Sequence, residues 1–470
     1  MADHAPNVIF IITDQQRADT IGSANSDWAI TPSLDRLAAD AIVFDRAFAC
    51  GAACVASRSA LFTGMYAHNT GVYSNDCLWG HQRTWLDDLR DAGFRLVNVG
   101  KMHARDAPMA FHERYIVENK SSRLNYDEWN RYLWRSGLDI PRRHETARGW
   151  RQQLNSEAWP YDEKYHCDVF TGNLALDFIA RWDRDQPLFL QIGFPGPHEP
   201  YDPLPRILAM YEDRDVPPRI FHEGELARKP PLQAAFKRFK ENTPHEEQID
   251  LSNSTNADID RMRRHYAAGI TGIDEKIGEI LDLLESKGLL QDSIVVFTSD
   301  HGDNLGDHDL PYKWFMYDSV TRVPLVIRTP ATVGQGRIDS TLFSHIDIGP
   351  TLLDMIGLSV PSRLDGRSRV SRVLEADEAN APSAVFAEEN HLAMIRTASH
   401  KLVHYINEPL GELYDLDADP VEINNLYTAT DHLRVRQELE RRLLDWIASS
   451  NYKNSGHKNL SNPMYEVKWL

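Results

Sequence analysis

Four short runs of apolar residues, rich in β-branched and aromatic side chains, end abruptly in polar clusters. They span residues 7–12, 95–99, 188–194 and 293–298. Continuous apolar runs of this length are typical of strands buried on both faces of a largely parallel sheet. Open α/β sheets bind ligands beyond the carboxyl ends of their strands. We therefore expect the polar residues that follow the four runs to converge on one site.

Helical patterns separate these runs. Residues 33–38 follow Pro32, which is favoured in the first turn of a helix, and residues 85–92 form a second pattern. Residues 270–287 repeat Ile and Leu at helical spacing and end before a glycine. The alternation predicts an α/β fold with a large, mostly parallel sheet flanked by helices.

The pattern changes after about residue 374. Short apolar runs near residues 384–388, 393–397, 401–405 and 412–416 predict a small antiparallel sheet. Residues 432–448 then carry apolar side chains on one helical face. We expect two domains, a main α/β domain over residues 1–374 and an α+β subdomain over residues 375–470.

Composition and charge narrow the range of partners. The chain has 470 residues, of which 42% are hydrophobic, and a formal net charge of −18. Such an acidic chain is a poor binder of nucleic acid or of an anionic membrane. An acidic protein that binds an anionic substrate must concentrate its cationic side chains locally. Arg and Lys residues inside motifs are therefore stronger indications of the binding site.

The sequence carries no recognisable targeting or membrane segment. Residues 8–12 form only a short apolar run, without the basic segment and long apolar stretch of a signal peptide. No run approaches the roughly 18 apolar residues of a membrane-spanning helix. The four cysteines are too few and too scattered for a disulfide framework. We expect a cytoplasmic protein, and the composition leaves open a homo-oligomer.

Two of the four runs end in residues that suit a metal ion. Asp14 and Gln15 follow the first run, and Asp300 and His301 follow the last. Carboxylate and amide oxygens suit Ca²⁺, and an imidazole also admits Mn²⁺. Carboxylates crowded at one sheet edge repel each other, which favours a bound cation. The alternative is that these acidic residues cap helices at the surface without a metal.

A cysteine begins another helical pattern. Cys54 precedes a run that ends at Gly64, a residue typical of helix C-caps. The first turn of a helix presents free N–H groups and suits a thiolate or an anion, and Arg58 adds a cation one turn further on. The pattern indicates a nucleophile that meets an anion, or else a buried cysteine before an ordinary helix. Cys50 and Cys54 are not followed by a second cysteine pair, which disfavours zinc.

Several segments together resemble one enzyme family. Residues 54–64, C-V-A-S-R-S-A-L-F-T-G, resemble the sulfatase signature C-x-[PA]-x-R, with Ala56 where Pro is more frequent. Residues 100–103 are similar to the family's G-K-x-H, and residues 322–327 and 413–420 also follow its pattern. The chain therefore resembles the formylglycine-dependent type I sulfatases of the alkaline phosphatase superfamily, close to the phosphonate monoester hydrolase branch. The resemblance implies an alkaline-phosphatase-like fold with a catalytic domain over residues 1–374.

The resemblance also implies a nucleophile and a sulfate clamp. In the family a maturation enzyme oxidises the cysteine to formylglycine, whose hydrated aldehyde is the nucleophile. Cys54 matches that cysteine, and Arg58 would orient the matured side chain. Lys101 and Lys313 match the lysines that, with the metal, neutralise the sulfate.

Proton transfer follows from the same resemblance, and two further residues are candidates for contact with the substrate. His198 would assist the leaving group, and His103 would accept the proton whose removal releases sulfate. Asn75 and His81 are candidate substrate-binding residues; the alternatives are a turn asparagine and a packing position.

The metal pairs of the family fall on the residues already singled out. Asp14 and Gln15 match the first pair, and Asp300 and His301 match the second. Gln15 stands where the family often has a second Asp, which lowers the negative charge around the metal.

The implied reaction is hydrolysis of a sulfate monoester, whose alcohol half is a small organic, aryl or carbohydrate group. The alternative within the superfamily is a phosphonate monoester or phosphodiester hydrolase, a branch that shares Asp-Gln near the start and Asp-His-Gly near the end. Outside this class remain a binding protein that keeps the fold without catalysis and a purely structural α/β protein.

Overall fold

The computed structural model describes residues 5–24, 26–80, 82–104, 110–120, 127–141, 153–183, 186–242, 249–330, 336–377 and 380–454. The strands are β1 Asn7–Asp14, β2 Ile42–Phe44, β3 Ala47–Phe48, β4 Arg95–Gly100, β5 Glu113–Ile116, β6 Leu188–Pro197, β7 Ser293–Ser299, β8 Arg322–Val323, β9 Leu325–Arg328, β10 Arg337–Asp339, β11 Phe343–Ser344, β12 Val385–Glu389, β13 Leu392–Arg396, β14 His400–Tyr405 and β15 Glu412–Asp415. The α-helices are α1 Pro32–Ala39, α2 Cys54–Thr63, α3 Ala67–Thr70, α4 Trp85–Asp91, α5 Glu128–Arg135, α6 Cys167–Arg181, α7 Pro205–Leu208, α8 Pro231–Asn242, α9 Asn256–Ser286, α10 Asp318–Thr321, α11 Ile348–Met355, α12 Val370–Glu375 and α13 Leu433–Asn454.

The four predicted strands are neighbours in the middle of one large sheet. Its strand order is β10-β2-β9-β7-β1-β6-β4-β5. Strands β7, β1, β6 and β4 run parallel to one another, and β9 joins them antiparallel. The prediction of a mostly parallel sheet is confirmed. The carboxyl ends of the four central strands consequently meet at one edge, which is where their polar clusters begin.

Helices cover both faces of this sheet. Alternate residues of β1 point to opposite sides, so that Phe10 packs with Phe62 of α2 while Ile9 packs in the cluster that contains Ile277 of α9. Helix α9 begins well before the predicted range of residues 270–287. Its first turns bury their apolar side chains in a separate cluster under the loops, so the apolar stripe shifts along the helix.

A four-stranded antiparallel sheet in the order β12-β13-β14-β15 forms the C-terminal part of the fold, as predicted. One face of it packs on loops of the main body, where Met394 shares a cluster with Phe315. The other face is covered by α13, which buries Leu439 and Leu443. The boundary between residues 374 and 375 stays a prediction. Among the described residues, no helix is long and apolar enough to cross a membrane.

Two glycines allow β4 and β6 to approach closely at the edge where the site lies. Gly100, with φ at 91°, faces Gly193, and a Cβ atom added to Gly100 would lie 2.0 Å from the Gly193 carbonyl oxygen. A Cβ atom added to Gly193 would lie 2.0 Å from the carbonyl oxygen of Lys101. The amide of Lys101 donates to the Gly193 oxygen at 2.8 Å. The close approach therefore fixes where the chain leaves β4.

We predict that Gly193→Ala destabilises the protein by about 3 kcal/mol, because the added methyl group overlaps backbone that has no room to move. Gly269→Ala is the matched control, since it lies in α9 and nothing lies within 4 Å of the added Cβ atom. The control should be stabilised by roughly 0.5–1 kcal/mol through helix propensity. Chemical denaturation of the two variants measures both effects. Equal stability of the two would contradict the close approach.

Candidate active site

Cys54 is the first residue of helix α2 and lies at the base of the site. The helix is buried along its whole length and ends at Gly64, whose amide donates to the Ala60 carbonyl at 2.9 Å. The amide of Val55, in the first turn, donates to Oδ1 of Asn75 at 3.0 Å. Asn75 thus binds the N-terminal end of the helix that presents Cys54. This hydrogen bond is its contact with the site.

The Cys54 sulfur lies among charged groups from three distant segments. Lys313 Nζ lies 3.0 Å from Sγ, His301 Nε2 lies 3.2 Å from it, and Asp14 Oδ1 lies 3.6 Å from it. Burial and the Asp14 carboxylate would raise the pKa of the thiol, but Lys313 and His301 outweigh them and lower it. The position favours a negatively charged or strongly polar group on residue 54.

Two fully buried carboxylates lie beside this sulfur. Asp300 accepts from the amides of Gln15 and His301 at 3.0 and 2.9 Å, and from Arg58 Nε at 2.8 Å. Asp14 forms a close ion pair with Lys101. Burial alone would raise the pKa of Asp14, but Lys101 and the other surrounding cations hold that pKa well below its usual range. Both carboxylates are therefore ionised because cations surround them.

The donor set fits a divalent cation. Oxygen, nitrogen and sulfur atoms of Asp14, Cys54, Asp300 and His301 all lie within 4.8 Å of one another. His301 Nδ1 donates to the Gly302 carbonyl at 2.8 Å, which leaves Nε2 facing the two carboxylates. Burial would lower the pKa of His301, but Asp300 outweighs it and raises that pKa, and a cation bound at Nε2 would take the place of a proton there. Two carboxylates and an imidazole suit Ca²⁺ or Mn²⁺.

Gln15 borders this cluster and bridges it to Lys313. Its side-chain oxygen accepts from Lys313 Nζ at 2.7 Å. Its side-chain nitrogen donates to Glu199 Oε2 at 2.9 Å and to Asp303 Oδ2 at 2.6 Å. The oxygen therefore faces the site, and the nitrogen faces two acidic side chains behind it.

Lys101 and His103 enter the site from the loop after β4. The strand ends at Gly100, so both residues lie beyond its extended backbone. His103 instead has φ at 57°, and its amide donates to Glu118 Oε2 at 2.9 Å. Burial, assisted by Lys101, lowers the pKa of the His103 imidazole to about 3. His103 is neutral at ordinary pH and is able to accept a proton.

His198 follows β6 and faces the same group of cations. Its Nδ1 lies 2.8 Å from the Glu199 carbonyl oxygen, to which it donates. Burial and then the positive charge of Lys313 lower the pKa of His198 well below its usual range. An anion placed between this imidazole and the lysines would oppose that effect and favour the protonated form.

Four acidic residues near the site were not predicted from the sequence. They are Glu118, Glu199, Asp303 and Glu389. Two of them had a signal, because Glu199 directly follows His198 and Asp303 belongs to the segment that begins with Asp300. Glu118 and Glu389 lie outside every segment that resembles the family. His81 lies outside the described residues, so its predicted contact with substrate stays a prediction.

Comparison with known protein families agrees with this geometry. Residues 6–358 match the family model described as sulfatase. The chain belongs to the sulfatase family. Residues 306–449 also match a model described as the C-terminal region of N-sulphoglucosamine sulphohydrolase. The chain is accordingly a sulfuric ester hydrolase of the alkaline phosphatase superfamily.

Individual relatives cover nearly the whole sulfatase. It is 28% identical to an arylsulfatase of Clostridium perfringens, with 91% of each chain covered. It is 27% identical to an N-acetylglucosamine-6-O-sulfatase of Bacteroides thetaiotaomicron, covering 92% of this chain and 85% of the relative. The crystal structure of a phosphonate monoester hydrolase of Agrobacterium radiobacter superposes with a TM-score of 0.83 at 26% identity, covering 95% of this chain and 96% of that one. The predicted fold class is thereby confirmed.

We predict that Asp300→Asn lowers the affinity of the purified protein for Ca²⁺ or Mn²⁺ by more than the roughly 10–100-fold that loss of an outer partner causes. The reason is that the substitution removes a charged ligand at the centre of the donor set. Equilibrium dialysis with elemental analysis measures the affinity. Asp274→Asn is the control, because it also removes a buried carboxylate charge. The partners of Asp274 are the amides of Ser33 and Leu34 at the start of α1, not groups of the donor set. Equal metal content in the two variants would argue against this metal site.

Proposed function

We propose that this sulfatase hydrolyses sulfate monoesters of small organic, aryl or carbohydrate alcohols after Cys54 has been matured to formylglycine. The observation that carries the proposal is the concentration of buried cations around residue 54 in a protein of net charge −18. Arg58, Lys101 and Lys313 are all at least 98% buried, and Lys313 lies 3.0 Å from the Cys54 sulfur. Such a cluster suits an anionic ester whose reacting atom meets residue 54.

The lysines would neutralise the sulfate oxygens while residue 54 attacks. Arg58 is held by Asp300 through its Nε, and its Nη1 donates to the Lys101 carbonyl at 3.2 Å. It would therefore orient the matured side chain without leaving its own partners. The hydrated aldehyde that a maturation enzyme forms from Cys54 would supply the attacking hydroxyl group.

The two histidines would handle the protons. An ester oxygen that leaves as an alcohol must gain a proton, and His198, next to the lysines that bind the anion, would donate it. Sulfate release requires a base, and His103 is suited to this because its imidazole is neutral. Burial and Lys101 lower the pKa of His103 to about 3 and keep the imidazole neutral, and an anion bound beside Lys101 would raise that pKa and strengthen the base.

A divalent cation would complete the site. Asp14, Gln15, Asp300 and His301 would hold it, with Ca²⁺ preferred and Mn²⁺ as the second choice. When bound, it would add positive charge beside the sulfate and the attacking group. Asn75, which holds the first turn of α2, would line the same pocket.

A phosphonate monoester or phosphodiester hydrolase is the second candidate. It is favoured by the similarity to the Agrobacterium radiobacter enzyme, whose fold superposes over nearly the whole chain. Lys101 and His103 favour the sulfatase, because together they supply a cation for the sulfate and a neutral base for its release. Charge does not separate the two candidates, because a sulfate monoester, a phosphonate monoester and a phosphodiester each carry a single negative charge.

We predict that the active protein carries formylglycine at position 54, seen by mass spectrometry as a loss of mass on the peptide that contains residues 54–58. Cys54→Ala should lower kcat by a factor on the order of 10⁶, the effect of losing a covalent nucleophile. Cys50→Ser is the matched control, because burial raises the pKa of the Cys50 thiol to about 12 and leaves it unreactive. Full activity of Cys54→Ala would refute the assignment of the nucleophile.

The two candidate reactions are separated by substrates that share one leaving group. We predict that kcat/KM for 4-nitrophenyl sulfate exceeds that for 4-nitrophenyl phenylphosphonate by about tenfold or more, a difference of about 1.4 kcal/mol in transition-state stabilisation. A common nitrophenol controls for the alcohol half. Equal or greater efficiency on phosphonates, across several leaving groups, would establish the second candidate instead.

A further inference from the structure

The side-chain amide of Gln15 is held in one orientation by Glu199, Asp303 and Lys313. Its nitrogen donates to Glu199 and Asp303, and its oxygen accepts from Lys313. The reversed orientation would place the amide nitrogen against the Lys313 ammonium group and the amide oxygen against two acidic side chains. Each of those contacts would pair donor with donor or acceptor with acceptor, so the surroundings permit one orientation only.

Asp303 keeps its position independently of Gln15. Its Oδ1 accepts from the Leu305 amide at 2.9 Å, and its Oδ2 accepts from the Tyr201 hydroxyl at 2.7 Å. Asp303 and Gln15 are both fully buried. A rigid acceptor therefore stands behind the amide, and turning the amide over would leave a buried carboxylate facing an oxygen.

We infer that Asp303 and Glu199 are positioning residues that fix the Gln15 oxygen toward Lys313 and that require an uncharged amide at position 15. The inference rests on the proposed function, in which the Gln15 oxygen serves the metal and Lys313 serves the sulfate. It also gives a physical reason for the glutamine where the family often has an aspartate. A carboxylate in the place of this amide would lie beside two others.

The chain of contacts extends to the nucleophile. Lys313 Nζ lies 2.7 Å from the Gln15 oxygen and 3.0 Å from the Cys54 sulfur. If the Gln15 oxygen turned away, Lys313 would lose its hydrogen bond to that oxygen, and its position relative to residue 54 would no longer be fixed. Asp303 thus acts on the reacting groups through Gln15 and Lys313, without touching the substrate.

Exchanging the two side chains tests this inference. In Gln15→Glu, a carboxylate faces Asp303, and in Asp303→Asn, an amide faces an amide. The double variant Q15E/D303N restores one donor and one acceptor in the reverse order. We expect Asp303→Asn to weaken metal affinity by about 10–100-fold, as losses of outer partners do, and both single variants to raise the substrate KM. The double variant should bind metal at least about tenfold more tightly than the product of the single effects predicts.

Three measurements keep the result interpretable. Metal affinity by equilibrium dialysis and substrate KM report on positioning, and the melting temperature reports on stability. A purely structural pair would couple in the melting temperature alone. Asp274→Asn serves as the control, and Glu199→Gln replaces Gln15→Glu as a single variant if the latter does not fold.

The outcomes separate this inference from the proposed function. The positioning role would be overturned if the effects of the two single substitutions on metal affinity and KM simply multiplied in the double variant. It would also be overturned if Gln15→Glu left metal affinity and KM unchanged. A wild-type protein that binds no divalent metal would refute the proposed metal site, and the pattern in KM would still decide the role of Asp303. Coupling in both metal affinity and KM supports the inference.

Discussion

Compensation of buried charge is the constraint on which the site depends. Asp14 and Asp300 are fully buried, and an isolated carboxylate in such a place would be neutralised by protonation. Arg58, Lys101 and Lys313 supply the opposite charge. Their own burial would favour the neutral form of the lysines, but the carboxylates reverse that effect and raise the pKa of Lys101. Each ion in the cluster is stable because the others are present, so removing one is expected to disturb all of them.

The sheet brings these charges together. Strands β7, β1, β6 and β4 are parallel neighbours, so residues that are nearly 300 positions apart in the chain reach the same edge. The glycines at positions 100 and 193 let two of the strands approach closely enough to fix the exit of the loop with Lys101. Helix α2 then presents residue 54 to the same site, and Asn75 accepts a hydrogen bond from the first turn of this helix. The fold supplies the geometry, and the charged side chains supply the chemistry.

Much of this arrangement is predictable from the sequence because it depends on strong local patterns. Apolar runs followed by Asp14 or Asp300 predict parallel strands with polar ends, and the helical run after Cys54 predicts its place at a helix start. What the sequence does not predict depends on three-dimensional packing. The early start of α9 reflects burial under loops, and the left-handed backbone of His103 reflects the end of β4 at Gly100. The orientation of the Gln15 amide depends on Asp303 and Glu199, which no periodic pattern links to it.

The central claim is that residue 54 takes the sulfate group and that His103 then removes the proton whose loss releases sulfate, with His103 needed only for this second step. The most direct measurement is a single-turnover comparison of alcohol and sulfate release by a matured His103→Ala variant. The account predicts about one equivalent of alcohol per active site at a rate close to that of the wild type, followed by much slower appearance of sulfate. Simultaneous release of alcohol and sulfate at one common rate would contradict it.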